Sequence, residues 1–175
     1  PFQPFIVGQK IIGPSIAAKF DIPLVFYGEN QAEYGNPVEQ NKNPAMDKSF
    51  FSSSDININK ISLGGVEIND ILKNEKFKIN DFTPYIPIST KTIQEKKIEM
   101  HYLGYYLSWD QQKCYYYAAE NTGFQPNDER SAGSYSKYCS FDDKVDDFHW
   151  FTTFIKFGIA RATWDACQEI RTNKI

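Results

Sequence analysis

Apolar positions along the chain change their spacing from stretch to stretch, and each spacing predicts an element. Between Phe5 and Phe20, the apolar residues Val7, Ile11, Ile12 and Ile16 follow helical spacing, and Asp21, Ile22 and Pro23 end the pattern. Pro14 either kinks this helix or starts its second half. Leu24, Val25, Phe26 and Tyr27 then run without polar alternation, which predicts a strand covered on both faces, as in a parallel α/β sheet. A helix followed by a buried strand is half of a βαβ unit, so the preceding parallel strands are expected upstream of Pro1.

From Asn36 to Asn59 the pattern gives way to Asn, Ser, Lys and Pro, which predicts a long surface insertion. Ile61 to Lys78 regains a helical look through Leu63, Val66, Ile68, Ile71 and Leu72, while Gly64 and Gly65 mark a turn. Phe82 to Ile88 alternates with prolines and reads as an extended connector. Ile98 to Trp109 has the density of a strand broken at Gly104, Asp110 to Glu120 turns helical, and Asn121 to Lys137 is loop. In the tail, Ser140 and Asp143 make a capping-box-like helix start. Phe141, Val145, Phe148, Thr152 and Ile155 keep the 3.6 period on one packed face, and Gly158 ends the helix. A second helix from about Ala160 to Thr172 turns Ala162, Ala166, Cys167 and Ile170 inward. Three regions result: residues 1–35 close an α/β domain, 36–97 are a partly irregular insertion, and 98–175 are aromatic-rich and helical.

Chemistry is expected first at the end of the predicted strand. Ligands of parallel sheets sit beyond the carboxyl ends of the strands, where Gly28, Glu29, Asn30 and Glu33 fall. Gly28 and Gly35 permit turns, and Glu29 and Glu33 suit a Mg²⁺ ion or a protonated nitrogen; the competing reading is a solvated turn with ordinary surface acids.

Composition narrows the classes. A chain of 175 residues with 41% hydrophobic and 16% aromatic content and a net charge of −3 predicts one globular domain. It argues against a nucleic-acid surface built on positive charge. No apolar run approaches the roughly 18 residues of a membrane span. Cys114, Cys139 and Cys167 form no CxxC pair, so neither a disulfide framework nor a zinc site is expected, and a reducing cytoplasm is the simplest setting. Pro1 opens the chain inside an apolar segment, which predicts the C-terminal part of something longer. Only 3 of the 19 basic residues are Arg, so Arg161 and Arg171 are expected where a planar, two-pronged donor is required.

That argument singles out Arg161, which shares a helix face with Asp165 and Gln168. Lys156 and Arg161 bracket Gly158 and suit an anionic ligand, whereas the plain alternative is a surface ion pair between Arg161 and Asp165. The tyrosines at 102, 105, 106, 115, 116 and 117, with Trp109, suit either core packing or stacking on a sugar or nucleotide ring. Asp142, Asp143, Asp146 and Asp147 load a helix start, and His149 reads as a packed, hydrogen-bonded residue.

Several blocks carry a resemblance: FYGENQAEYG at 26–35, YYLSWD at 105–110, ENTGFQPNDER at 120–130, YSKY at 135–138, and DDKVDDFHWFTTFIKFGIARATWDACQEIR at 142–171. Together they resemble the N-acetyl sugar amidotransferases, bacterial enzymes that turn an acetamido sugar into its acetamidino form in lipopolysaccharide or flagellin-glycan biosynthesis. The resemblance is weak from Asn36 to Lys97. It implies the C-terminal part of a PP-loop parallel-sheet domain (adenine nucleotide alpha hydrolase-like), followed by a mostly helical region. The family's SGGxDS nucleotide loop is absent and would lie before Pro1.

The resemblance implies ATP-dependent activation of the acetamido oxygen, followed by attack of ammonia supplied by a partner glutaminase. It makes Glu29, Asn30 and Glu33 catalytic candidates, Gly28 a cofactor-binding candidate, and Glu29 and Glu33 candidate Mg²⁺ ligands. Lys156, Arg161, Asp165 and Gln168 would hold the acidic sugar, of pseudaminic, legionaminic or uronic type, with Arg161 and Lys156 on its carboxylate. The expected partners are that sugar, the glutaminase and the chain's own N-terminal PP-loop half, with no nucleic acid and no membrane. Two other readings stay open: RNA thiolation by a related PP-loop enzyme, and a non-catalytic sugar-binding or docking module.

Overall fold

In the first unit, helix α1 spans Gln3–Phe20 and carries Pro4 in its first turn, where a missing N–H breaks no helical bond. The computed structural model describes residues 2–29, 42–107, 110–141 and 143–171. The helix runs on through Pro14 and ends at Asp21, which takes a left-handed φ of 56° while Ile22 N–H reaches back to the Ala17 carbonyl at 2.9 Å. Lys10, Ile11, Pro14 and Ala17 form its buried face. On the opposite face Phe5, Ile12, Ile16 and Phe20 make a second apolar stripe, all of them at least 48% exposed.

Strand β1 (Leu24–Tyr27) follows, then β2 (Ser52–Ser53), β3 (Ser62–Leu63) and β4 (Val66–Glu67). Next come a short helix α2 (Ile68–Ile71), β5 (Ile88–Ser89), α3 (Thr90–Glu95), β6 (Glu99–Tyr102) and a one-turn helix α4 (Leu103–Tyr106). β1 and β6 pair in parallel, from Leu24 opposite Glu99 to Tyr27 opposite Tyr102. The outer edge of β6 is taken by the 44–46 segment through Met46 N–H to Met100 O (2.7 Å) and Tyr102 N–H to Pro44 O (2.9 Å). Among the described residues, no strand pairs with the other edge of β1. β2 and β5 form a second parallel pair, and β3 and β4 an antiparallel hairpin.

Several expectations change here. β1 buries Tyr27 but leaves Leu24 and Phe26 exposed, so among the described residues it is covered on one face rather than two. The 61–78 stretch is not one helix: Gly64 and Gly65, at φ +63° and +87°, close the β3–β4 hairpin, a two-residue turn that only successive positive φ values allow. Gly104 lies within a helical turn rather than a strand. Met46, Phe51 and Ile93 pack with Ile11, Tyr27, Ile98, Met100 and Tyr102 in the main core, so the stretch read as an insertion supplies core residues. A smaller core gathers Leu63, Ile68 and Phe82.

The second compact unit begins at Asp110. Asp110 caps α5 (Gln111–Asn121) by accepting from the Lys113 N–H at 3.0 Å. The following loop folds back on itself, with Asn127 N–H to Lys137 O and Ser131 N–H to Ser136 O, both 2.9 Å. Tyr138 stacks on Tyr115 with ring centres 4.5 Å apart. Helix α6 (Asp146–Phe157) ends at Gly158 with φ +71°, as its sequence predicts, and α7 spans Arg161–Arg171.

The α6 start lies beyond Ser140, since Val145 is its N-cap and Asp143 instead accepts from the Val145 N–H at 2.8 Å. Its periodic apolar positions Val145, Phe148 and Ile155 stay exposed, with Phe141 before them. The sheltered line is Asp146, His149, Trp150 and Thr153. Cys167 and Ile170 of α7, expected to face inward, are exposed as well. The molecule is therefore mixed α/β with small parallel and antiparallel sheets. Among the described residues, no helix is long and apolar enough to cross a membrane.

Candidate functional site

The α1–β1–β6 arrangement builds a polar cluster where the sequence places it, at the carboxyl ends of two parallel strands. Glu29 follows β1 by two residues, and its backbone carbonyl accepts from the Gly104 N–H at 3.2 Å, which ties the strand end to α4. Because α1 runs back along β1, the N-terminal half of the helix lies at the same end. Gln9 Nε2 donates to Glu29 Oε1 at 2.9 Å, and the Tyr27 hydroxyl donates to the Gln9 carbonyl. Glu29 Oε2 is buried and has no hydrogen-bond partner.

Lys10, only 7% exposed, lies one residue on, with its ammonium 3.8 Å from the centre of the Phe50 ring. Burial lowers the Lys10 pKa, and the Glu29 charge opposes that shift. The Tyr27 phenol is pushed above its ordinary value, first by burial and then by the charges of Glu29 and Tyr102. Gln9, Lys10 and Tyr27 were not among the sequence candidates, and Tyr102 was read as packing or stacking rather than as part of this cluster. The signal for Lys10 was available: it is the one charge on the helix line 10, 11, 14 and 17.

Gly28 has no positive φ, and a Cβ built on it meets nothing within 4 Å, so the turn itself does not require glycine. Asn30, Glu33 and Gly35 lie outside the described residues. Mg²⁺ asks for a near-octahedral set of oxygens. Glu29 offers one free oxygen beside a lysine ammonium, and no group of three or more His, Cys, Asp or Glu gathers among the described residues. These residues do not fit Mg²⁺. Gly64 and Gly65 close a hairpin and Gly158 ends a helix, so none of these three opens a helix N-terminus to a phosphate.

The second cluster lies in the C-terminal unit. Arg161 Nη1 donates to Asp146 Oδ2 at 2.7 Å and to Ser140 Oγ at 2.6 Å, and Ser140 Oγ in turn hydrogen-bonds Asp146. Ser140 takes φ +57° to reach this position. The Arg161 side chain is 11% exposed, and its Nε is buried without a partner. The expected pair between Arg161 and Asp165 is not the one that forms; Asp165 accepts from Ser134 Oγ at 2.5 Å.

The Arg161 guanidinium also lies 5.6 Å from the Trp150 ring, and the Gly133 carbonyl accepts from the Ala162 N–H at 2.8 Å. A cavity of about 340 Å³ opens here between Ala132, Gly133, Asp147, Trp150, Phe151, Phe154, Ala160 and Arg161. Its wall is mostly aromatic rings and methyl groups, and of Arg161's donors Nη1 is engaged by Asp146 and Ser140 while Nε is buried. Lys156 does not line it; it stands about 200° round α6 from Phe154. Gln168 does not line it either. Of Lys156, Arg161, Asp165 and Gln168, Arg161 is the one that lines this cavity.

The tyrosines divide between the units. Tyr106 stacks on His101 and meets Phe26 edge-on, whereas Tyr115 packs with Phe124 and Tyr138. Trp109 lies outside the described residues. No protein-family model matches the chain, and no curated protein matches it.

Proposed function

We propose that the chain is the sugar-handling, C-terminal part of an ATP-dependent N-acetyl sugar amidotransferase, acting with ammonia from a glutaminase on an acidic sugar. The observation that carries the reading is the position of Glu29 at the carboxyl ends of parallel β1 and β6, with one oxygen held by Gln9 and the other buried and free. A second observation supports a larger sheet. Among the described residues no strand pairs with one edge of β1, and α1 is apolar on opposite faces, as a helix sandwiched between layers is. The reading assigns both surfaces to an N-terminal PP-loop half, which supplies the nucleotide site that the described residues lack.

Within this reading, the Trp150 cavity takes the sugar. Its volume of about 340 Å³ lies in the range of small-ligand pockets, and aromatic rings such as Trp150 and Phe151 pack against the C–H face of a pyranose. Arg161 fixes the cavity wall and leaves the substrate carboxylate to other donors. The alternative of a docking module without chemistry draws on the exposed apolar stripe of Phe148, Phe151 and Ile155 on α6.

The test uses the full-length product of the gene that encodes this chain. AMP and pyrophosphate should form only when ATP, an N-acetylated acidic sugar and ammonium are all present. AMP formation that depends on RNA instead points to thiolation, and no ATP consumption under any condition favours the docking module.

A further inference from the structure

We propose that Glu29 Oε2 is the seat of the nitrogen donor, held as an ammonium ion, and not a ligand of Mg²⁺. This rests on the amidotransferase reading for its purpose but on separate observations for its site. A buried carboxylate oxygen without a partner has lost its hydration with nothing in exchange, so the position favours any small donor that reaches it. Its sister oxygen is already held by Gln9 Nε2 at 2.9 Å, which leaves a single acceptor rather than a bidentate one. One acceptor beside the Lys10 ammonium suits a singly charged N–H donor. It does not suit a divalent ion that needs several oxygens and meets like-charge repulsion there.

The surroundings also favour a cation. The Lys10 ammonium lies 3.8 Å from the centre of the Phe50 ring and makes no hydrogen bond to Oε2, which has no partner. Tyr27 and Tyr102 lie opposite each other at the strand ends, and the Tyr27 hydroxyl fixes the Gln9 backbone. Gln9 and Tyr27 are positioning residues: they hold Glu29 Oε1 so that Oε2 stays free.

The experiment titrates the 175-residue chain with ammonium chloride, potassium chloride or magnesium chloride against choline chloride at constant ionic strength, and follows thermal unfolding. Ammonium should raise Tm in a saturable way. Glu29→Gln should weaken the apparent ammonium affinity at least tenfold, and Lys10→Met, which removes the competing charge, should strengthen it. Glu29→Asp, checked for folding by circular dichroism, replaces Glu29→Gln should the latter fail to fold.

A saturable effect of magnesium alone overturns the proposal, as does an equal effect of potassium and ammonium, or an ammonium effect that survives both Glu29 substitutions. The two readings fail separately. If ammonium does not bind here while the full-length protein still amidates sugar, the site is wrong and the function stands. If ammonium binds through Glu29 and the full-length protein consumes no ATP, the function is wrong and the site stands.

Discussion

Arg161 is one of three arginines among 19 basic residues, and its fork is used inside the fold: one nitrogen binds both Asp146 and Ser140. The guanidinium also lies 5.6 Å from the Trp150 ring, so Arg161→Lys keeps the charge and loses the longer, planar head. With both side chains mostly buried, the pair should be worth on the order of 1–3 kcal/mol, above the range of exposed pairs. A double-mutant cycle of Arg161→Lys with Asp146→Asn, read by urea unfolding, should give a coupling of at least about 0.5 kcal/mol. The same cycle with Asp165→Asn should give none. Equal coupling to Asp165 contradicts the assignment.

Tyr138 makes a second residue-scale prediction. Its phenol is pushed up to about 12, by burial first and then by the charges of Cys139, Glu169, Tyr116 and Asp165. The folded chain therefore keeps a proton that the unfolded chain releases near pH 10, so stability should fall as pH rises from about 10 to about 12. Tyr138→Phe should flatten that slope, as read by denaturant unfolding at successive pH values, while leaving Gln112 Oε1 without its 2.6 Å donor. An unchanged slope removes Tyr138 from the alkaline transition.

At the scale of elements, α1 offers the clearest contrast. Ile11 is 2% exposed in the main core, and Ile12, its neighbour, is half exposed on the opposite face. Ile11→Ala should cost about 2–5 kcal/mol. Ile12→Lys should stay within about 0.5 kcal/mol in this chain, because it disturbs no packed contact. Similar losses for both, measured by chemical denaturation, would mean that the second stripe of α1 is packed against something within the chain.

The elements also show how far the sequence could be read. α1, β1 and the Gly158 stop of α6 were legible because period, proline and glycine agree. The β3–β4 hairpin was not, because Leu63, Val66, Ile68 and Ile71 happen to keep helical spacing while backbone sterics at Gly64 and Gly65 decide the turn. Glu29 was legible from its place after an apolar run. Gln9 and Lys10 were not, since their meeting with Glu29 depends on α1 folding back along β1. Ser140 was read as a cap because its spacing to Asp143 fits one, yet the Asp146–Arg161 pair claims its hydroxyl.

At the scale of the whole molecule, two compact units carry two different features: a polar cluster at parallel strand ends and a cavity walled by aromatic rings. The amidotransferase reading gives each a task, nitrogen donor in the first and sugar in the second, and would place the nucleotide on an N-terminal PP-loop half. The most direct measurement supplies the full-length protein with ATP, an N-acetylated acidic sugar and ¹⁵N-ammonium chloride, and examines the sugar by mass spectrometry and NMR. The account predicts an acetamidino sugar carrying ¹⁵N at the former carbonyl carbon, formed in equal amount with pyrophosphate. Pyrophosphate without labelled sugar, or no turnover of ATP at all, would contradict it.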